Sequence, residues 1–219
     1  MLNEHTLPPL SGGKPRHAVI LVHGLGDSGA GLIGLGEVWR QALPDTEFLA
    51  PDAPFPCDMA PFGYQWFSLQ NRSPAAMLAN VREASPILDA YIDEVQASRA
   101  LPAGRVALVG FSQGTMLSLY AALRRQTALA GVVGYSGTLV GGEALSHELT
   151  SSPPVLLVHG MLDEVVPFPA MAQAERGLRQ AGVQVVTHAC PNLGHSIDDA
   201  GLDIGLAFLR DAFQWESVA

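Results

Sequence analysis

The chain is poor in charged residues: only 15% of its 219 residues are Asp, Glu, Lys or Arg, against about 25% in an ordinary globular protein. Basic residues are scarcest, with 12 Lys and Arg against 21 Asp and Glu and a net charge of −9. Binding of nucleic acid depends on clustered Lys and Arg, so the sequence predicts no nucleic-acid partner. Because 48% of the residues are hydrophobic, the composition also excludes an intrinsically disordered chain.

The sequence also lacks a long apolar run and a recognisable cysteine pattern. A membrane-spanning helix needs about 20 mostly apolar residues, and no stretch of the chain meets that requirement. Residues 1–13 contain no apolar core and do not resemble a signal peptide. Cys57 and Cys190 lie far apart and match neither a disulfide nor a metal-binding spacing. We therefore expect a cytoplasmic protein with no integral membrane segment and no bound metal.

Apolar runs of strand length alternate with helical patterns along the chain. Strands are predicted at 18–22, 47–50, 106–109, 131–135, 155–158 and 183–188. Helices are predicted from Ser73–Pro74 onward, with a kink or break at Pro86, and at 115–125, 168–180 and 198–213. This alternation predicts an α/β fold with a mostly parallel central sheet flanked by helices. No linker divides the chain, so we expect one domain over 1–219, with 1–16 as a peripheral N-terminal extension.

The segment 50–71 interrupts the alternation with four prolines and five aromatic residues. A connection of this length in a compact domain is usually functional or disordered, and the aromatic content argues against disorder. Two interpretations stay open here: the aromatic side chains complete the core, or they face a substrate.

Gly110-Phe111-Ser112-Gln113-Gly114 follows a predicted strand and opens a predicted helix. The Gly-x-Ser-x-Gly pattern alone is weak, but this strand-turn-helix context is that of a serine nucleophile. A serine in such a turn lies at the carboxyl edge of the sheet. The Gln113 amide then lies at a helix N-terminus, where developing negative charge is stabilised.

A serine nucleophile needs a base that a third group orients, and in this fold class the order is serine, acid, histidine. Among the histidines after Ser112, His159 and His188 fall at or within predicted strands, whereas His195 lies in a loop before the last helix. Asp163 follows the strand 155–158 and is the best candidate for the acid. The alternatives, Asp198 and Asp199, are better interpreted as charges in the first turn of the last helix.

The loop His23-Gly24-Leu25-Gly26 after the first predicted strand can supply a second oxyanion amide, and the candidate donor is the amide of Leu25. A phosphate-binding loop is a weaker interpretation, because the loop lacks the Gly-x-Gly-x-x-Gly pattern and the phosphate-loop lysine. His23 precedes Ser112 in the chain and is therefore interpreted as a residue that stabilises the loop.

Taken together, these stretches resemble the phospholipase/carboxylesterase family of small α/β-hydrolases, which includes acyl-protein thioesterases. The matching segments are 21–29, 51–54, 65–67, 110–114, 159–167 and 194–196, in the family's order. The resemblance implies an α/β-hydrolase fold without a large cap domain. It also implies Ser112 as nucleophile, His195 as base, Asp163 as its orienting acid, and Leu25 and Gln113 as the oxyanion-hole residues. Trp66 resembles the family's tryptophan beside the acyl site, although Ser68 stands where many relatives have Asp.

The predicted function is hydrolysis of carboxylic esters, and by extension of thioesters or lysophospholipids, through an acyl-enzyme on Ser112. Val166 and Phe168, with Trp66, are candidate substrate-binding residues in an apolar acyl-binding wall. The reaction needs no cofactor, since the triad generates its own nucleophile. The alternatives are a lactone or dienelactone hydrolase and a catalytically silent ligand-binding protein. The sequence is compatible with a homodimer but does not predict an oligomeric state.

Overall fold

The structure is a computed structural model that describes residues 2–213. The strands are β1 (Glu4–Leu7), β2 (His17–Val22), β3 (Thr46–Pro51), β4 (Phe55–Pro56), β5 (Tyr64–Gln65), β6 (Val106–Phe111), β7 (Gly131–Tyr135), β8 (Val155–Gly160) and β9 (Val185–Cys190). The helices are α1 (Gly29–Leu32), α2 (Gly34–Trp39), α3 (Pro74–Arg99), α4 (Gln113–Ala122), α5 (Leu145–Glu148), α6 (Pro169–Gln180) and α7 (Asp199–Ala212), with a 3-10 turn at Ala103–Arg105.

Seven of these strands form one sheet in the order β1-β3-β2-β6-β7-β8-β9. All neighbouring strands in it are parallel except β1, which runs antiparallel to β3. The predicted α/β fold with a mostly parallel sheet is therefore confirmed. The small antiparallel pair β4–β5 lies outside this sheet, in the aromatic segment 50–71.

The sheet is buried on both faces, which explains why its strands read as continuous apolar runs. Along β2, Ala18, Ile20 and Val22 face one side, where α3, α4 and α6 pack. Val19 and Leu21 face the other side, where α1, α2 and α7 pack. Full burial of a Leu, Ile or Val side chain stabilises the fold by roughly 1.5–3 kcal/mol. These two layers hold the carboxyl ends of the strands in place.

The N-terminal residues do not all lie outside the sheet. Residues 1–16 are predicted to be a peripheral extension, but Glu4–Leu7 forms the edge strand β1 and pairs with β3. This strand is only four residues long and alternates between exposed and half-buried positions. Such a short, weakly apolar run carries no clear strand signal, and the free edge of β3 provides its pairing partner.

The long helix α3 begins where the sequence predicts, because the Ser73 hydroxyl accepts a hydrogen bond from the Ala76 amide. The helix is not split at Pro86, contrary to one of the two predicted outcomes. A proline inside a helix costs about 3 kcal/mol or more. Burial of the apolar face on both sides of Pro86 outweighs that cost; its large side chains are those of Val81, Leu88, Tyr91, Ile92 and Val95.

Between β7 and β8 the chain carries one four-residue helix, α5, in place of a cap domain. In the part of the chain that the structure describes, no helix is long and apolar enough to cross a membrane. The carboxyl ends of β2, β6, β8 and β9 all lie at one edge of the sheet, because these strands are parallel. Ligand sites in open α/β sheets lie at this edge.

A buried histidine at the start of β2 predicts how stability depends on pH. The His17 ring stacks on Phe213, with ring centroids 4.4 Å apart. Its Nε2 lies 2.8 Å from the Arg105 guanidinium and must accept the hydrogen bond, since arginine only donates. Burial, and then the charges of Arg105 and Arg16, lower the pKa of His17 to about 4, while Asp45 opposes the shift.

We expect stability to fall as the pH falls from about 6.5 toward 4. In this window the unfolded chain binds a proton at His17, whose pKa there is near 6.5, while the folded chain does not. The variant His17→Gln keeps an acceptor for Arg105 and removes the titrating group, so its urea midpoint should depend less on pH. A midpoint that falls equally in both proteins would contradict this assignment. Burial also lowers the pKa of His23, and the hydrogen bond from Arg124 lowers the pKa of Glu148, so both groups should contribute to the dependence that remains.

Candidate active site

Ser112 occupies the sharp turn between β6 and α4. Its backbone has φ 54° and ψ −114°, a positive-φ conformation that costs an L-residue about 1–3 kcal/mol. The Ser112 amide donates a hydrogen bond to the Tyr135 carbonyl at 2.9 Å, which ties the turn to β7. Gly114 lets α4 approach β2, because a Cβ at this position would overlap the Val22 carbonyl. The turn therefore places the serine at the carboxyl edge of the sheet.

Asp163 and His195 lie on two neighbouring loops, after β8 and after β9. The backbone joins these loops, since the Leu162 amide donates to the Leu193 carbonyl at 2.9 Å. His195 Nδ1 lies 2.8 Å from Asp163 Oδ2. A carboxylate can only accept, so Nδ1 carries the hydrogen and Nε2 is the ring nitrogen available as a base.

The Asp163 carboxylate is buried and hydrogen-bonded through both oxygens. Its Oδ1 accepts from the Val165 and Val166 amides, each at 2.9 Å, and its Oδ2 accepts from His195. Burial by itself would raise the pKa of Asp163, but the hydrogen bonds from His195 and from the two amides outweigh it and lower the pKa. Asp163 is therefore a carboxylate anion held in one orientation.

A second histidine contacts the same acid. His159, the buried penultimate residue of β8, has Nε2 2.8 Å from the Val166 carbonyl and 3.3 Å from Asp163 Oδ2. Because a carbonyl only accepts, His159 Nε2 carries a hydrogen and points it at both acceptors. The sequence patterns do not predict this contact, because they place His159 at the end of a strand and assign it no role. The sequence feature that could have predicted the contact is the position of His159 at the end of a strand, four residues before Asp163.

Ser112 and His195 are close to the same aromatic ring but are not hydrogen-bonded to each other. The Phe111 ring precedes Ser112 in the chain and packs on the His195 ring, with centroids 4.9 Å apart. In serine hydrolases the contact between nucleophile and base often shortens only when substrate binds. The structure thus brings the acid and the histidine into contact, and the Phe111 ring joins the histidine to the turn that carries Ser112.

The two candidate oxyanion amides are those of Leu25 and Gln113. Neither amide has a hydrogen-bond acceptor among residues 2–213. Gln113 is the first residue of α4, where amides point away from the helix and favour negative charge. Gly24 lies directly beside the nucleophile turn, because a Cβ on Gly24 would be 3.3 Å from the Ser112 Cβ. The loop before Leu25 therefore borders the serine as the sequence suggests.

The three predicted substrate-binding residues lie mainly behind the site. Trp66 is only 1% exposed, and its indole donates to the His23 carbonyl at 3.0 Å. Val166 is buried; its amide donates to Asp163 Oδ1, and its carbonyl accepts from His159 Nε2. Phe168 is half-buried and lies edge-on to the His159 ring. Trp66 in particular offers almost no surface to a ligand.

Exposed apolar side chains flank the site on the hairpin β4–β5 and on the loop after β8; we call these side chains the apolar rim. One set belongs to the hairpin β4–β5, strands and loop together, and the other to the loop that carries Asp163; they are Phe55, Met59 and Phe62, and Met161, Leu162 and Val165. The hairpin packs on the 23–28 loop, because Asp27 forms an isolated β-bridge with Tyr64 of β5. The aromatic segment 50–71 is therefore divided, with Trp66 and Phe67 buried and the rim residues exposed.

A cavity of about 800 Å³ lies between the start of α3, the loop after β7 and α6. Its lining includes Leu78, Leu139, Glu143, Ala174 and Arg176. None of Ser112, Asp163 and His195 lines it, so it lies outside the candidate active site.

Potential metal ligands do not converge in the part of the chain that the structure describes, where no group of three His, Cys, Asp or Glu side chains could hold an ion.

The Cys190 thiol lies 3.5 Å from the Asp198 carboxylate. Burial and this negative charge raise the pKa of Cys190 to about 11, so the thiol stays protonated at neutral pH. Asp198 also accepts from the Gly201 amide at 2.8 Å and caps α7.

Comparisons with known proteins agree with this architecture. The model of the Phospholipase/Carboxylesterase family matches residues 10–212. Acyl-protein thioesterase 1 of Neurospora crassa is 30% identical over 209 residues, which cover 88% of this chain and 85% of that protein. The Escherichia coli esterase YpfH is 25% identical over 210 residues, covering 96% and 89%. The crystal structure of esterase PE8 superposes with a TM-score of 0.92 at 42% identity, covering 96% of this chain and 99% of that one.

The fold and these relatives define a serine hydrolase of the α/β-hydrolase class that acts on ester bonds. The chain belongs to the phospholipase/carboxylesterase family. The family resemblance stated from the sequence motifs is therefore confirmed.

Proposed function

We propose that the protein is a carboxylesterase in which Ser112 is the nucleophile, His195 the general base and Asp163 the acid that orients His195. The observation that carries this proposal is the 2.8 Å contact between Asp163 Oδ2 and His195 Nδ1. This contact lies at the same sheet edge as the positive-φ Ser112. A serine hydroxyl becomes a competent nucleophile when a base oriented by a third group removes its proton.

The reaction passes through an acyl-enzyme. His195 Nε2 takes the Ser112 proton while Oγ attacks the carbonyl carbon, and the amides of Leu25 and Gln113 donate to the resulting oxyanion. His195 then protonates the leaving alcohol, and the acyl group remains bonded to Ser112 Oγ. In the second half, His195 removes a proton from water as the water oxygen attacks the acyl carbonyl. The tetrahedral intermediate then breaks its bond to Ser112 Oγ, which takes the proton back from His195, and the carboxylic acid is released.

The electrostatics of Asp163 support its part in these steps. Its low pKa keeps the carboxylate negative when His195 becomes positive in each half-reaction. The pair is shielded from water on the Asp163 side, so its attraction is stronger than between exposed charges. The same hydrogen bond holds the imidazole in the tautomer whose Nε2 accepts the serine proton.

The apolar rim supports a substrate with a hydrocarbon chain. Six exposed apolar side chains on the hairpin β4–β5 and the loop after β8 border the candidate site, and apolar side chains grouped at a protein surface are typical of a binding surface. We propose esters of short to medium acyl chains as the preferred substrates. Thioesters share the same carbonyl chemistry, and the Neurospora relative is an acyl-protein thioesterase by name.

A panel of p-nitrophenyl esters of increasing acyl length tests this function. We expect all of them to be hydrolysed, with kcat/KM increasing from acetate toward medium chains as more of the chain contacts the rim. Absence of hydrolysis, together with absence of labelling by a fluorophosphonate probe, would instead indicate a silent ligand-binding protein. Hydrolysis of lactones but not of open-chain esters would indicate a lactone hydrolase.

The rim variant Phe62→Ser, at a side chain that is 70% exposed, tests the chain-length preference. Loss of this contact should cost about 1 kcal/mol of transition-state binding for medium-chain esters, or about fivefold in kcat/KM. Hydrolysis of the acetate should hardly change. Val38→Ser is the matched control, because Val38 is 56% exposed on α2 and is not part of the rim. Equal effects of the two variants would rule out a substrate contact at Phe62.

A further inference from the structure

A chain of buried hydrogen bonds joins the two candidate oxyanion residues. It runs from the Gln113 side chain through Trp66 to His23 and ends at the peptide group that contains the Leu25 amide. We call these three side chains the oxyanion clamp. All three are buried, with at most 1% of Trp66 exposed, so none of them presents appreciable surface to a substrate.

The first link is made by the Gln113 side chain. Its Oε1 accepts from the Trp66 amide at 2.8 Å, and its Nε2 donates to the Phe67 carbonyl at 2.7 Å. The two ends of one amide group thus hold consecutive residues of the aromatic segment. Because both ends are used, the Gln113 side chain has one orientation and ties this segment to the start of α4.

The second link is the Trp66 indole. Its Nε1 donates to the His23 carbonyl at 3.0 Å, and its ring packs on the His23 imidazole with centroids 5.6 Å apart. Buried indoles usually satisfy their N–H group in this way. Here the acceptor is the carbonyl of the residue that precedes Gly24, so the indole holds the first peptide of the 23–28 loop.

The third link is the His23 ring, which has a defined tautomer. The Ala53 amide donates to Nε2 at 2.9 Å, so Nδ1 carries the hydrogen and donates to the Gly24 carbonyl at 2.7 Å. That carbonyl and the Leu25 amide belong to one planar peptide group, in which C=O and N–H point in opposite directions. A donor that holds the Gly24 oxygen therefore also sets the direction of the Leu25 N–H.

We propose that Trp66, His23 and the Gln113 side chain are positioning residues that aim the Leu25 amide at the oxyanion; this inference rests on the proposed esterase function. The clamp acts on the transition state, because a carbonyl oxygen becomes an anion at the position that the amide faces. Trp66 thus contributes to the site through the loop behind it and not as part of an acyl-binding wall.

The variant Trp66→Phe tests the clamp, because it removes the indole N–H and keeps an aromatic ring. Loss of a direct oxyanion donor lowers turnover by about 10²–10³, so a donor that is only misaimed should cost about 10–100-fold in kcat. KM should stay within about twofold. Affinity for a trifluoromethyl ketone, which forms an oxyanion on the serine, should fall by the same factor as kcat.

Trp39→Phe is the matched control. Trp39 is also 1% exposed and also donates its indole N–H to a backbone carbonyl, that of Leu202 at 3.1 Å. It packs on the opposite face of the sheet, so its loss should lower thermal stability and leave kcat and analogue affinity within about twofold of wild type. If Trp66→Phe behaves like Trp39→Phe, Trp66 is a core residue and the proposal is wrong.

A pair of His23 variants tests the clamp without changing Trp66. In His23→Asn the side-chain NH₂ can take the place of Nδ1 and donate to Gly24, whereas the longer chain of His23→Gln reaches toward the Nε2 position. We expect His23→Asn to keep more of kcat than His23→Gln, and the reverse order would contradict the proposal. If wild-type protein neither hydrolyses esters nor reacts with a fluorophosphonate probe, the esterase function itself has failed.

Discussion

Replacement of Ser112 by alanine is expected to lower ester hydrolysis by about 10⁶-fold, because loss of the nucleophile in a serine hydrolase has an effect of that size. The substitution removes only the hydroxyl. The backbone at 112 keeps its 2.9 Å hydrogen bond to Tyr135, and alanine meets the same positive-φ strain as serine. Initial rates on p-nitrophenyl butyrate, with thermal unfolding measured on the same samples, give the comparison.

Labelling provides the second measurement on Ser112→Ala. A fluorophosphonate probe should modify the wild-type protein once and fail to modify the variant, since the probe reacts with an activated serine hydroxyl. Retained turnover or retained labelling in a folded variant would exclude Ser112 as the nucleophile. The residual rate of the variant over water would report the contribution of the oxyanion amides together with substrate binding.

Replacement of Asp163 by asparagine is expected to lower kcat by about 10⁴-fold through the tautomer of His195. The asparagine Oδ1 can still accept from the Val165 and Val166 amides, which bond Asp163 Oδ1 at 2.9 Å. Its NH₂ group then takes the place of Oδ2 and faces His195 Nδ1. The imidazole must accept at Nδ1 and carry its hydrogen on Nε2, so it cannot remove the serine proton.

Asp198→Asn is the control for this prediction. Asp198 lies three residues after His195 and caps α7 through the Gly201 amide. Asparagine is as good an N-cap as aspartate, so activity and stability should both be close to wild type. Comparable losses of kcat in the Asp163 and Asp198 variants would show that the acid has been assigned to the wrong residue. Steady-state kinetics at saturating ester distinguish the two cases.

Much of the fold can be predicted from local patterns. The apolar runs of β2, β6 and β8 and the Ser73–Pro74 start of α3 follow from burial on both sheet faces and from capping chemistry. Both are properties of neighbouring residues in the chain. Strand β1 was not predicted, and the sequence left open whether α3 is kinked or split at Pro86, because each outcome depends on a partner that is distant in sequence.

The residues of the candidate site likewise divide into those that local patterns predict and those that depend on partners distant in sequence. The Gly-x-Ser-x-Gly turn is encoded in five consecutive residues, and the chain order of the fold class points to Asp163 and His195. Two features could not be predicted from local motifs or chain order. They are the hydrogen bond from His159 to the Val166 carbonyl and the burial of Trp66 behind the 23–28 loop. A histidine or tryptophan has several hydrogen-bonding uses, and its partner is decided by which loops pack together.

The sequence by itself determined the fold class, the Gly-x-Ser-x-Gly turn and the family, because these depend on turn geometry, apolar periodicity and short motifs. Only the tertiary structure decided which aromatic residues of 50–71 are buried and which form the apolar rim. It also decided that Gln113, Trp66 and His23 form one connected chain. The physical reason is that a hydrogen-bond network between separate loops exists only once the sheet has brought the ends of its strands to a common edge.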